Sequence, residues 1–158
     1  MSKFRLIINE LDISSQIANL LNVHNNLSIT HTGPSIAINN IKYIVEQGIV
    51  DNTLVIVGCV GLLLTTEDTT LIKHLCVHQN KRNMGIATRL MNTALGSITT
   101  SFAHMNIRSN NYPSLSLAEK LGFLIITQRQ KVGYNVVTVG KKVHDNGRNN
   151  RLYRGGNL

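Results

Sequence analysis

Residues 1–140 predict a single domain of mixed α/β (α+β) class, with a central mixed sheet of about seven strands flanked by about four helices. Three observations carry the prediction. Val- and Leu-rich runs such as Leu54–Leu64 and Leu71–Val77 read as buried strands. At Gly85 the apolar spacing changes from alternation (Leu75, Val77) to a helical stripe (Ile86, Ala87, Leu90, Met91). Beyond that point strand-like and helix-like segments alternate.

In chain order, Phe4–Ile8 reads as a first strand. A helix over Leu11–Val23 follows, with Leu11, Ile13, Ile17, Leu20 and Leu21 on one face after the polar Asn9 and Asp12. A second helix starts after Gly33-Pro34, turns Ile36, Ile38, Ile41, Ile44 and Val45 inward, and stops at Gly48. Thr53–Val57 and Cys59–Leu64 read as two strands parted near Gly58 and Gly61, at a turn the sequence does not locate. Thr65–Thr70 is a turn before the strand Leu71–Val77. A helix over about Met84–Leu95, a strand Ser101–Ile107, a short helix Pro113–Leu121 and strands Phe123–Thr127 and Tyr134–Val139 complete the domain.

Composition narrows the class of protein. Hydrophobic residues make up 42% and charged residues 15%, as in a packed globular domain rather than a disordered chain. The longest apolar runs are glycine-broken and fall short of the roughly 20 residues of a spanning helix. MSKFRLIINELD lacks the form of a secretory signal, so the expectation is a cytoplasmic protein without membrane contact. Cys59 and Cys76 lie inside apolar strand segments and read as small buried hydrophobes. The net charge is +8, and the Asn- and Gly-rich residues 141–158, with five Lys/Arg against one Asp, carry half of it. That segment reads as a mobile or weakly ordered basic tail, either solubilising or a contact for nucleic acid or an acidic protein.

The junction HLCVHQNKRNMGIATRL, His74–Leu90, places two cations, a glycine and a small residue where a strand becomes a helix. The first N–H groups of a helix lack intrahelical partners and add to the positive end of its dipole, so the junction suits an anion. A dinucleotide fold would need a fuller Gly-x-Gly-x-x-Gly and a later acid, and a triphosphatase loop would need Gly-Lys-Ser/Thr. Neither is present.

LCVHQNKRNMGIATRLM resembles the acyl-coenzyme A signature of the GNAT superfamily of N-acetyltransferases. The core of that signature is Gln/Arg-x-x-Gly-x-Gly/Ala, here Arg82-Asn83-Met84-Gly85-Ile86-Ala87. NYPSLSLAEKLGF, Asn111–Phe123, resembles the family's later segment, an Asn before a short helix that closes in Glu-Lys-Leu-Gly-Phe. The two lie in the family's order, one helix and one strand apart. The resemblance implies acetyl-CoA as co-substrate, with backbone N–H groups of Asn83, Met84, Gly85, Ile86, Ala87 and Thr88 cradling its pyrophosphate and Lys81, Arg82 or Arg89 adding charge. It also implies that Leu75, Cys76 and Val77 offer their backbone to the pantetheine arm, that one main-chain N–H there polarises the acyl carbonyl, and that Asn111 contacts the cofactor. The activity implied is transfer of an acetyl group to a primary amine by direct attack on the thioester.

Two departures bear on the chemistry. Many members carry a tyrosine where this chain has Ala118, and some use a glutamate where it has Asn106; neither residue can exchange a proton in that role. Tyr112, His104 on the Asn106 face of its strand, and His74 at the edge of the cofactor strand are the candidate acids, bases or relays. His74 and His78 are four apart, but on a strand this is not a metal pair, and no metal is expected. Two functions stay open: an N-acetyltransferase for a protein or small amine, and a catalytically weak CoA-binding module acting through a basic surface on nucleic acid or protein. A second copy of the chain is a further partner to test.

Overall fold

The computed structural model describes residues 7–8, 12–25 and 30–145. Its elements are β1 (Ile7–Ile8), α1 (Ile13–His24), α2 (Gly33–Ile38), β2 (Lys42–Val50), β3 (Thr53–Thr66), β4 (Thr69–Val77), α3 (Ile86–Ser97), β5 (Phe102–Arg108), α4 (Tyr112–Lys120), β6 (Leu124–Lys131) and β7 (Tyr134–Lys142). Leu11, expected on the first helix, most of the expected first strand, and residues 146–158 of the basic tail lie outside the described residues. No helix among the described residues is long and apolar enough to cross a membrane.

The chain divides into two compact units, residues 1–64 with 71–97 and residues 65–70 with 98–158. In the first the strand order is β1-β3-β4, β1 parallel to β3, with β2 antiparallel on β3. The apolar faces of α1 and α2 meet the strands through Ile17, Leu20, Leu21, Ile36, Ile56, Cys59 and Cys76. In the second unit the order runs from the start of β4 through β5 and β7 to β6, with β7 antiparallel to both neighbours. Ala103, Met105, Ile107, Ala118, Phe123, Val137 and Val139 are among its buried apolar residues.

Two elements differ from the sequence expectation. The long second helix is only α2; from Lys42 the chain is strand β2. Ile41, Ile44 and Val45 fit a helical stripe, yet Asn39-Asn40 breaks the helix, and the β-branched and aromatic residues that follow favour a pleated surface. The hairpin closes on Asp51-Asn52, both at positive φ (49° and 60°), the two-residue turn whose twist matches paired strands.

The two expected strands around Gly58 and Gly61 are one, β3. These glycines are packing sites rather than breaks. A Cβ on Gly58 would lie 2.7 Å from Ile86 Cγ2 and 2.9 Å from Leu90 Cδ1, so its absence lets α3 settle against the strand. In the second unit β7 runs to Lys142, three residues beyond expectation. The Val143 and His144 N–H groups then donate to the Ser101 carbonyl, so 141–145 closes the second unit.

Candidate functional site

In the first unit β4 ends at Val77, the His78 N–H donates to the Val57 carbonyl (2.7 Å), and Gln79–Lys81 form one 3₁₀ turn. Asn83 (φ 61°) and Gly85 (φ 78°), with Met84 between them, then take left-handed conformations, the backbone habit of an anion-holding nest. Gly85 serves here because a side chain at that φ is strained, and a Cβ would stand 3.2 Å from Arg89 Nη1. Helices α1, α2 and α4 each begin on a side-chain cap: Asp12, Thr32 and Asn111. No described side chain accepts a hydrogen bond from the first turn of α3, so the N–H groups of Ile86, Ala87 and Thr88 keep their capacity for an outside acceptor.

Two of the three nearby cations are held by the chain itself. Arg82 donates to the Val77 carbonyl from Nε (3.2 Å) and to the His24 carbonyl from Nη2 (2.8 Å), which ties the end of α1 to the loop. His24 and His78 reinforce this tie. Their rings lie 4.2 Å apart, and each Nδ1 accepts a backbone N–H, from Gln79 and Asn80 respectively. Burial, His78 and Arg82 lower the His24 pKa, which keeps that ring uncharged. Arg89 reaches the Glu46 carboxylate on β2 (2.6 Å) and the Met84 carbonyl (3.0 Å). Lys81 has no side-chain partner among the described residues.

Three residues before the end of β4, His74 is at positive φ (56°), a local break in the strand just before Leu75, Cys76 and Val77. Its Nδ1 is 2.6 Å from the Tyr43 hydroxyl on β2, and the His31 ring meets it edge-on at 4.9 Å. Burial, then Lys73 and His31, pull the His74 pKa down to about 4, while burial pushes Tyr43 up to about 12. At neutral pH the phenol therefore keeps its proton and the His74 ring is uncharged, the two sharing one hydrogen bond. His31 Nε2 is shielded from solvent and has no hydrogen-bond partner among the described residues, and its pKa is lowered by burial and Lys73. Cys59 and Cys76 are buried thiols whose Sγ–H groups donate to the carbonyls of His74 and Leu20. Burial raises both pKa values, Cys76 to about 11, so neither is a thiolate.

In the second unit Asn111 caps α4, its Oδ1 accepting from the Ser114 N–H (3.3 Å) and its amide N–H₂ remaining a donor. Tyr112 is 73% exposed rather than packed. His104 and Asn106 share the accessible face of β5. The Asn106 Oδ1 accepts from Thr138 Oγ1 (2.7 Å) and from Arg129 (3.5 Å), while His104 has no side-chain hydrogen bond among the described residues. Burial lowers the His104 pKa. Ala118 is buried, 2% exposed.

The structure thus brings His74, Leu75–Val77 and Arg82–Thr88 together in one unit, and His104, Asn106, Asn111 and Tyr112 in the other. Sequence reasoning missed Tyr43, His31, Lys73 and Glu46. Tyr43 and Glu46 fell inside the misread helix; an alternating strand there would have set them on β2 beside the glycine-bearing strand. His31 and Lys73 carry no local signal, since their partners come from distant parts of the chain.

A family model described as the Acetyltransferase (GNAT) family matches residues 30–123. No curated protein matches the sequence. Among solved structures, the ribosomal-protein-S18-alanine N-acetyltransferase of Escherichia coli superposes with a TM-score of 0.66 at 14% identity, covering 89% of this chain and 96% of that one. An aminoglycoside 6'-N-acetyltransferase in complex with coenzyme A gives 0.66 at 14% identity, covering 87% and 97%. A GNAT family acetyltransferase from Elizabethkingia anophelis with acetyl-CoA bound gives 0.61 at 17% identity, covering 78% and 88%. At such identities these likenesses concern the fold.

Proposed function

The chain belongs to the GNAT acetyltransferase family, and from that premise we propose that it is an N-acetyltransferase moving an acetyl group from acetyl-CoA to a primary amine. The observation that carries the reading is the uncapped start of α3, preceded by left-handed Asn83 and Gly85 directly after β4. Those residues fit a pyrophosphate: free first-turn N–H groups, a glycine where a Cβ would intrude, and the positive end of a helix dipole. The backbone of Asn83–Thr88 holds the phosphates, with Lys81 adding charge and Asn111 offering its amide N–H₂. Leu75–Val77 present main-chain groups to the pantetheine arm, and one N–H there supports the acyl oxygen. Acetyl-CoA, when bound, supplies the acetyl group as a thioester.

The proton steps fall to weak groups. His104 is accessible and uncharged at neutral pH, and serves as the relay; His74 and Tyr112 are the remaining candidates. With Ala118 buried and the Asn106 oxygen already bonded, rate comes from proximity and the backbone donor, and turnover is slow. The same two residues favour the second reading, a CoA-binding module acting on a partner through its basic surface, for which residues 141–158 are the candidate contact.

Calorimetry with acetyl-CoA and a thiol-release assay against pooled amines and proteins separate the readings. Binding with thiol release supports the transferase. Binding without release for any amine supports the module, and no binding rejects both.

A further inference from the structure

The strands of the second unit carry charge of one sign. Arg108, Arg129, Lys131, Lys141 and Lys142 stand on β5, β6 and β7, which contain no Asp or Glu. Lys141 is engaged with the Leu121 carbonyl and Lys142 with Asp145. Strand pairing sets the other three together. Val136 on β7 pairs with Arg108 on β5 and with Arg129 on β6, so the two arginines flank it in one row on one face. The next row is Asn106, Thr138 and Thr127, and at the hairpin end Lys131 pairs with Tyr134. This is the open face of the sheet. Ala103, Met105 and Ile107 point the other way and are buried, whereas Asn106, Thr127, Arg129 and Lys131 are exposed.

Two features of this face go beyond charge. The Arg108 guanidinium lies over the Tyr134 ring, Cζ 4.3 Å from its centroid, which makes a flat cation-on-aromatic step. Tyr134 also lines a cavity of about 370 Å³ with Lys131, Asn110, Gln130 and Asn135, within the roughly 300–1,000 Å³ of small-ligand sites. A side-chain amide offers a donor and an acceptor side by side, as the edge of a nucleobase does. Charge on an outer strand is a common guard against unwanted pairing, which accounts for Arg129 and Lys131 on β6. It does not account for Arg108, which lies on β5, two strands in from that edge.

We propose that this face binds single-stranded nucleic acid. Arg108, Arg129 and Lys131 meet phosphates, a base stacks on the Arg108–Tyr134 step, and the amide-lined cavity takes the edge of a base. The strand must be unpaired, because a sheet presented face-on does not enter the groove of a duplex, which admits a helix or a two-stranded ribbon. An acidic protein would satisfy the cations and leave the stacking step and the amides unused. Binding here needs neither acetyl-CoA nor turnover, so it goes beyond the acetyltransferase reading and can fail separately from it.

Fluorescence anisotropy of the full chain with labelled oligonucleotides of about 12 nucleotides tests this, using uridine RNA, thymidine DNA and a mixed-sequence DNA duplex. The single strands should bind at least about tenfold more tightly than the duplex. RNA ahead of DNA supports the proposal with a contact to the ribose hydroxyl, and equal affinities support it through phosphates and base faces alone. Arg129→Gln with Lys131→Gln should reduce the slope of log affinity against log salt by about 1.4, two single-strand phosphate contacts at about 0.7 each. Tyr134→Ala should weaken binding about fivefold or more at unchanged slope, and Tyr134→Phe should restore it. Replacing Arg148, Arg151 and Arg154 together by Gln, at positions outside the described residues, should weaken binding through charge and leave the Tyr134→Ala effect in place. Binding of neither single strand, equal affinity for the duplex, an unchanged salt slope in the β6 double variant, or loss of the Tyr134→Ala effect in the triple variant overturns the proposal. Tighter binding of polyglutamate than of either oligonucleotide also overturns it, and makes the face a contact for an acidic protein.

Discussion

The chain makes the passage from strand to helix twice in its second half, and the two junctions are built differently. Between β5 and α4 the connection is short, and Asn111 caps the helix with its own side chain. Between β4 and α3 the chain spends eight residues, two of them left-handed, and leaves the helix start without a side-chain cap among the described residues. Capping by Asn, Asp, Ser or Thr is the common way to satisfy the first turn, and omitting it costs about 1 kcal/mol. A helix start that forgoes a cap, close in sequence to Lys81 and preceded by a glycine, keeps its first-turn N–H groups open to an anion from outside. One junction closes its helix start from within, and the other leaves its donors open, as the proposed cofactor site requires.

The largest effect should come from filling the open junction. Gly85→Glu puts a Cβ at a left-handed position and a negative charge where the phosphates are to sit, so acetyl-CoA affinity should fall at least about 100-fold. The circular dichroism spectrum should stay native. Affinity within a factor of two of wild type would remove the anion-site reading of this junction.

The open junction was legible in the sequence because it is a local, backbone-made device. A change of apolar period, a glycine and a cation within a few residues are enough to mark it. What was not legible depends on distant partners: Arg82 finds a carbonyl 58 residues away and Arg89 a carboxylate 43 residues away. The fold shows the same division. The alternating second half was readable, whereas Ile41–Val45 fits either period, and only pairing with β3 decides it. Splitting β3 and missing β2 were opposite errors in the strand count, so agreement on about seven strands conceals them. The Asp51-Asn52 turn was the signal overlooked.

Acid should weaken the first unit through its neutral histidines. The His74 pKa is lowered to about 4 from an ordinary 6.5, so the unfolded chain binds more protons between those values and stability falls as pH drops through that window. His31 and His24 are shifted in the same direction. Allowing for solvent screening of a half-exposed ring, His74 accounts for about 1 kcal/mol by pH 4. Urea unfolding at pH 7 and pH 4.5 checks this. His74→Asn should flatten the dependence, and an unchanged slope would mean that the ring is not held neutral.

At the capped junction the expectation is a stability effect first. Asn111→Ala removes the acceptor for the Ser114 N–H and should cost about 1 kcal/mol in urea unfolding. If Asn111 also contacts the cofactor through its amide N–H₂, acetyl-CoA affinity should fall several-fold as well. Asn111→Asp keeps the cap and loses that donor, so it separates the two roles. Loss of affinity in the Asp variant at unchanged stability assigns the contact to Asn111, and wild-type affinity there leaves Asn111 a cap alone.

The smallest effect concerns Glu46. Its carboxylate holds Arg89 Nη2, and the other arm of the same guanidinium reaches the Met84 carbonyl and lies beside Gly85. In the proposed site the carboxylate would therefore compete with the phosphate for this cation. The pair is solvent-exposed, so the competition is weak and screened by salt. Glu46→Gln leaves Arg89 without its charged partner and removes one negative charge from the neighbourhood of the site. Acetyl-CoA affinity should rise about two- to fivefold at low salt and by less at 0.5 M. Arg89→Ala should lower it by a similar factor, and in that background Glu46→Gln should add little, because the two changes act on one interaction. Calorimetry on the four proteins of this cycle gives the answer. Additive effects would mean that Glu46 acts on the site directly rather than through Arg89, and a fall in affinity in Glu46→Gln would mean that the ion pair positions Arg89 for the phosphate instead of withholding it.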